Sequence, residues 1–267
     1  MIGRVRGSLR AGAFSLTDVR RYNPDMNDAT DKASLDALCA ELAIANRILV
    51  SQGVLDAFGH VSVRHPARAD RFLLARNMAP ASVTATDVLE FDLDGTPVDA
   101  AGPKPYLERF IHGEILRSRP DVTAVAHSHS PAVIPFSVVR GVPLCAVSHM
   151  GSFLGTDTPI FEIRDTAGDA SDLLIRDNAL GRALAGSLGR NPAVLMRGHG
   201  VTVVGATLRE AVFRAVYTKF NARIQADALR LGPVTALTAG EAAASAATNA
   251  SQIDRAWNVW KEQVAPA

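Results

Sequence analysis

The sequence predicts a single α/β domain, on three observations: short apolar runs of strand length, long stretches of helical periodicity between them, and enough apolar residues to fill a core. The chain has 267 residues, 48% hydrophobic and 21% charged. That length accommodates one α/β domain or two small ones. One is expected, spanning residues 31–267.

Met1 to Arg21 carries Arg4, Arg6, Arg10, Arg20 and Arg21 but no uninterrupted apolar core or small-residue cleavage site. Residues 1–30 are therefore expected to be a poorly ordered arm rather than a secretory signal, although their basic, acid-poor character imitates a transit peptide. Either Met1 or Met26 can start the native chain. A first helix is predicted from about Ser34 to Gln52, where Leu35, Leu38, Leu42, Ala45 and Leu49 share a face and Gly53 supplies a stop. Strand-like runs follow at Val61–Arg64, Arg71–Ala75 and Leu89–Leu93, the last closed by the turn pair Asp94-Gly95. They read as antiparallel neighbours.

Tyr106 to Arg117 returns to a helical pattern, and Val122–His127 is a strand. Pro131 then stands where a helix is expected to begin. Ala193–Met196 and Val201–Val204 form a hairpin around Gly198-His199-Gly200. Leu208 to Leu231 is a long helix whose apolar side includes Val212, Ala215, Val216, Phe220, Ile224 and Leu229. The Ala-rich stretch Gly240–Ala250 and a segment with Trp257, Val259 and Trp260 complete the helices.

Charge and cysteine content exclude several functions. The 28 Lys+Arg and 27 Asp+Glu leave a formal charge of +1, without the basic footprint of a nucleic-acid partner. Cys39 and Cys145 stand far apart and outside any CxxC pattern, against a disulfide framework or zinc ribbon and in keeping with a cytoplasmic setting. No apolar run approaches the ~20 residues that span a bilayer.

The chemistry concentrates in histidines. On an extended backbone His127 and His129, at i and i+2, point to one face, as a shared metal ion requires. A surface doublet looks the same, so a third ligand is needed. His199, whose flanking glycines let the backbone turn tightly and approach a ligand, is the best candidate. Glu108 precedes the strand carrying the doublet and can return to the same sheet end, whereas Glu90 and Glu114 read as solvated. Three imidazoles and a carboxylate suit one divalent ion per subunit, Zn, Mn, Fe or Co. His112, one helical turn after Glu108, orients the carboxylate, touches substrate or simply packs. His65 reads as exposed and Lys104 as a solvated loop charge.

Gly59-His60-Val61-Ser62-Val63-Arg64, Glu108 with His112, His127-Ser128-His129 and Gly198-His199-Gly200 occur in the order of the class II aldolase/adducin family, which the chain resembles over roughly residues 35–230. The resemblance implies a three-layer α/β/α domain with a central, mainly antiparallel sheet. It implies metal ligation by His127, His129 and His199, with Glu108 as ligand or acid/base, and a homotetramer with sites between subunits.

Sugar-phosphate aldolases of that family carry Gly-Asn at the position of Gly59-His60, Thr-Gly near Arg76-Asn77, and Ser-Ser before the glutamate, together cradling phosphate. Here the last pair is Tyr106-Leu107, and His60 and Arg76 can pair with a carboxylate instead. The wider runs Asp56–Pro66, Glu108–Ile115 and Met196–Gly200 resemble decarboxylases of hydroxylated aromatic dicarboxylates and ring-cleavage products. Examples are 3,4-dihydroxyphthalate, 3-hydroxy-2-methylpyridine-4,5-dicarboxylate and hydroxy-carboxymuconic semialdehyde.

The expected function is thus a metal-dependent decarboxylase acting on a small carboxylated substrate through a metal-stabilised enolate. Glu108 and His149 are the candidate acid/base groups, His149 with a packed-loop role as the alternative. His60, Ser62, Arg64, Arg76, His112 and Arg197 are candidates to bind substrate, the arginines through their guanidinium forks unless engaged in surface ion pairs. Two rival readings are an aldolase or retro-aldolase on a non-phosphorylated hydroxy acid, and a non-catalytic adducin-like assembly module.

Overall fold

The computed structural model describes residues 24–265, with side chains from residue 32 onward. The segment 1–23, most of the expected arm, lies outside the described residues. Helix α1 (Pro24–Ser51) begins ten residues before the expected start at Ser34. The apolar stripe begins only at Leu35, so hydrophobic periodicity is silent over the polar turns before it.

Strands β1 (His60–Arg64), β2 (Arg71–Ala75) and β3 (Val88–Asp92) form the expected antiparallel meander. Helix α2 (Arg109–Ser118) leads into β4 (Ala124–Ser128). The next helix, α3 (Ile134–Val138), starts at Ile134, with Pro135 rather than Pro131 in its first turn. The intervening chain also holds β5 (Ile160–Phe161), α4 (Arg164–Ala167) and α5 (Asn178–Leu188), none of them expected. Hairpin strands β6 (Ala193–Met196) and β7 (Gly200–Gly205) precede α6 (Leu208–Leu231), α7 (Ala239–Ala250) and α8 (Ile253–Gln263).

The seven strands are ordered β3-β2-β1-β4-β7-β6-β5, antiparallel throughout except for the β5–β6 edge pair. Period-2 alternation divides their side chains between two cores. Val61, Val63, Ala124, Ala126, Val201 and Val203 face Leu42, Leu49, Val212 and Trp257, from α1, α6 and α8. Phe72, Phe91, Val125 and Val204 face Ile111, Ile115, Leu184 and Leu188, from α2 and α5. The result is the three-layer α/β/α arrangement expected. No helix among the described residues is long and apolar enough to cross a membrane.

Several side chains depart from their expected environments. Glu114 is 1% exposed, its carboxylate facing Arg182 at 3.2 Å and Arg117 at 3.6 Å. His65 is buried, its Nδ1 accepting hydrogen bonds from the Ala67 and Arg68 amides. Glu90 is half-buried and paired with Arg71. Phe220 and Leu229 are exposed, because α6 turns a partly polar face inward. There Asn221 and Gln225 hydrogen-bond the backbone of Pro143, Cys145 and Val147.

Candidate metal centre and its cavity

On β1 and β4, His60, Ser62 and His127 alternate with the valines and alanines of the α1/α6 core and therefore face the α2 layer. His60 lies opposite His127 in the β1–β4 register. His129 follows β4 directly. His199 arrives from the β6–β7 turn, where Gly198 has φ 66° and a Cβ on Gly200 would stand 2.1 Å from the Ser128 carbonyl oxygen. Only a glycine lets the hairpin pass this close to the end of β4.

Glu108 sits immediately before α2. Its Oε1 accepts a hydrogen bond of 2.9 Å from the Ile175 amide, while Oε2 lies 3.8 Å from His127 Nε2 and 3.6 Å from His199 Nε2. His129 Nε2 is 3.1 Å from His127 Nε2 and 3.0 Å from His199 Nε2. One donor atom from each of the four residues falls within 4.8 Å of all the others. Three neutral imidazole nitrogens that face one another lack the protons to satisfy every contact. A divalent cation bound at about 2.0–2.2 Å by nitrogen and oxygen would satisfy them.

The surroundings prepare these groups as ligands. Thr202 Oγ1 donates to Met196 Sδ at 3.4 Å and lies 3.3 Å from His127 Nδ1, so its oxygen receives the Nδ1 proton and His127 Nε2 keeps its lone pair. His199 Nδ1 is buried on the side of the Leu173 backbone. Burial pushes His127 well below the usual imidazole range, lowers His129, and takes His199 down to about 4. All three are neutral, the ligating form, at pH 7. Burial also raises Glu108 to about 7, against the opposing pull of the Ile175 N–H. The positive charge of Arg176 pulls in the same direction as that N–H, and burial outweighs both.

Beside the four donors lies a cavity of about 280 Å³, lined by His60, Asn77, Tyr106, Leu107, Glu108 and His129 among others. Tyr106 packs on His60 with ring centroids 4.8 Å apart, and its hydroxyl donates to the Met78 carbonyl. At Tyr106-Leu107 this wall presents an aromatic ring and an aliphatic side chain. Behind His60 runs a buried chain of contacts: His60 Nδ1 to His112 Nε2 at 2.6 Å, and His112 Nδ1 to Ser62 Oγ at 2.6 Å. Burial takes His112 down to about 3 and lowers His60 strongly.

The other sequence candidates lie apart from the cluster. Arg64, four residues and about 13 Å of strand from His60, donates to the carbonyls of Ala69, Leu116, Arg119 and Val122. Arg76 is paired with Asp87 at 2.7 Å, and Arg197 lies 2.5 Å from Glu162. None of the three lines the cavity. His149 is exposed on a 3-10 turn, anchored through its carbonyl by Asn249. Thr202, Met196, Asn77 and the Ile175 amide were not anticipated. Only the register between distant strands and loops brings them to the site, and a single sequence carries no mark of that register.

Comparison with known proteins agrees with this geometry. Residues 40–226 match the family described as class II aldolase and adducin N-terminal domain. The chain is 38% identical to decarboxylase tropJ of Talaromyces stipitatus, over 81% of its own length and 90% of that protein. It is 32% identical to 3,4-dihydroxyphthalate decarboxylase of Arthrobacter keyseri, over 66% and 72% of the two chains. A crystal structure of an aldolase II superfamily protein from Pseudomonas syringae superposes with a TM-score of 0.71 at 21% identity, covering 86% of this chain and 92% of that one. At that identity the match speaks for the fold alone.

Proposed function

The chain belongs to the class II aldolase and adducin family, and from that premise we propose that it is a divalent-metal-dependent carboxy-lyase. Its substrate is a small hydroxylated carboxylic acid: an aromatic or pyridine dicarboxylate, or a ring-cleavage product. The observation that carries this reading is the convergence of Glu108, His127, His129 and His199 on one point beside a cavity walled in part by Tyr106 and Leu107. The decarboxylase relatives support the choice of leaving group.

A divalent ion bound by the three imidazoles would act as a Lewis acid, stabilising the negative charge left on the substrate as carbon dioxide departs. The protein's own groups supply the rest. Glu108, fixed through Oε1 by the Ile175 amide, keeps Oε2 free to take a substrate hydroxyl proton and return a proton to carbon. Its preference for the protonated form before metal binds matches a group that exchanges protons near neutral pH. Tyr106, Leu107 and Phe58 wall the cavity with apolar surface, which favours a planar ring over a sugar phosphate. Asn77 and His60 are the neutral polar groups that contact substrate oxygens.

His149 enters as a proton donor only through an oligomer. Exposed and outside the cluster of its own chain, it would serve a neighbouring subunit in the homotetramer that the family resemblance implies.

Products decide between this reading and an aldolase on a non-phosphorylated hydroxy acid. Purified, metal-supplemented protein is incubated with hydroxyphthalates, pyridine dicarboxylates and carboxymuconic semialdehydes, and products are read by NMR. Loss of one carboxyl as carbon dioxide is the expected result. Pyruvate with an aldehyde would replace it by the aldolase.

A further inference from the structure

The buried chain Ser62, His112, His60 ends at the cavity wall, and its hydrogen-bond direction can be derived. Ser62 is 0% exposed, and among the described residues its hydroxyl makes one side-chain hydrogen bond, to His112 Nδ1 at 2.6 Å. A hydroxyl has one proton and two lone pairs. If it accepted from His112, its proton would be buried without a partner, which costs more than an idle lone pair. Ser62 is therefore the donor, and His112 Nδ1 accepts.

His112 is also 0% exposed, and a neutral imidazole carries one proton. With Nδ1 accepting, that proton is on Nε2 and is donated across the 2.6 Å contact to His60 Nδ1. His60 must then hold its own proton on Nε2. That nitrogen makes no hydrogen bond among the described residues, and the residue lines the cavity. Among the described residues, no lysine or arginine lines it.

The geometry points to His60 Nε2–H as a fixed hydrogen-bond donor to an anionic oxygen of the bound substrate, a carboxylate or phenolate, with Ser62 and His112 as the positioning residues that lock its tautomer. The other tautomer would present a lone pair to the anion and repel it. A relay of neutral groups thus provides polarity without adding a cation that would compete with the metal ion for the carboxylate. The assignment of substrate class rests on the proposed function; the tautomer does not.

The test uses zinc-loaded protein labelled with 15N-histidine. Long-range 1H–15N spectra are expected to show His60 and His112 both protonated at Nε2. In Ser62→Ala the His112 Nδ1 resonance should shift towards that of an unbonded acceptor, and affinity for the probe dianion phthalate should fall about tenfold, the scale of one hydrogen bond to a charged group. Ser62→Thr, which keeps the hydroxyl, should restore both. A merely structural serine would alter the melting temperature and leave the tautomers and phthalate affinity in place.

His60 protonated at Nδ1, or phthalate bound equally by parent and Ser62→Ala, overturns the inference. Because the spectra require no turnover, the two readings fail separately. The expected tautomers without carbon dioxide release would sink the proposed function alone, and turnover with the reversed tautomer would sink the relay alone.

Discussion

Replacing Glu108 by glutamine separates the two demands placed on that residue. In the metal-free protein the carboxyl is held at about 7 instead of 4.5 by burial. The folded state therefore binds the proton more tightly than the unfolded state. A raised acid contributes stability at low pH that is lost as pH climbs from 4.5 through about 7.

Above that window the ionised, buried carboxylate disfavours the fold by about 2.5 pKa units, on the order of 3 kcal/mol. Glutamine keeps the oxygen that accepts from the Ile175 amide and never ionises. Chelator-treated Glu108→Gln should melt close to the parent at about pH 4.5 and roughly 6–12 °C above it at about pH 8.5, the shift that such an energy produces in a domain of this size. The same variant should gain less from added metal, because stabilisation by a ligand follows its affinity for the folded state. Differential scanning calorimetry at the two pH values reads both effects. A variant no more stable than the parent at pH 8.5, or a gap that does not change with pH, refutes the placement of Glu108 as a carboxylate whose burial outweighs the Ile175 N–H and Arg176.

The buried histidines give an opposite pH dependence. His199 and His112 titrate near 4 and 3 in the folded chain against 6.5 unfolded, so the unfolded state takes up more protons below 6.5 and stability falls as pH falls. For His199 alone this amounts to up to about 3 kcal/mol. Urea midpoints of metal-free Glu108→Gln, free of the carboxyl's contrary trend, should decline between pH 6.5 and 4.5; a flat profile contradicts the burial. Arg64→Ala should destabilise the fold by roughly 1–3 kcal/mol through carbonyls left without a donor, with turnover per folded molecule unchanged. A large rise in KM with normal stability would return Arg64 to the substrate site.

The parts of the site legible in the sequence are those fixed by local geometry. His127 and His129 share a face because a strand has period two, and His199 sits in a turn because Gly198 and Gly200 allow it. Joining them to Glu108 took the order of motifs, since 67 residues separate that carboxylate from the Ile175 amide that anchors it. The Ser62–His112 contact spans 50 residues, and nothing local announces it. Arg64, Arg76 and Arg197 looked available because sequence shows a charge and not its partner. Each is engaged by carbonyls or a carboxylate elsewhere. Glu114 misled in the opposite sense, a helix glutamate buried against Arg182. Helix α5 did leave a signal, with Asp177 as its N-cap and Leu180, Leu184 and Leu188 at i, i+4 and i+8.

The central claim, a carboxy-lyase whose three converging imidazoles hold one divalent ion beside Glu108, is tested most directly by titrating metal into chelator-stripped protein and measuring carbon dioxide released from a hydroxylated ortho-dicarboxylate. Release should rise from baseline and level off at one equivalent per chain. Release that is indifferent to metal, or absent from every such acid at full metal occupancy, would contradict it.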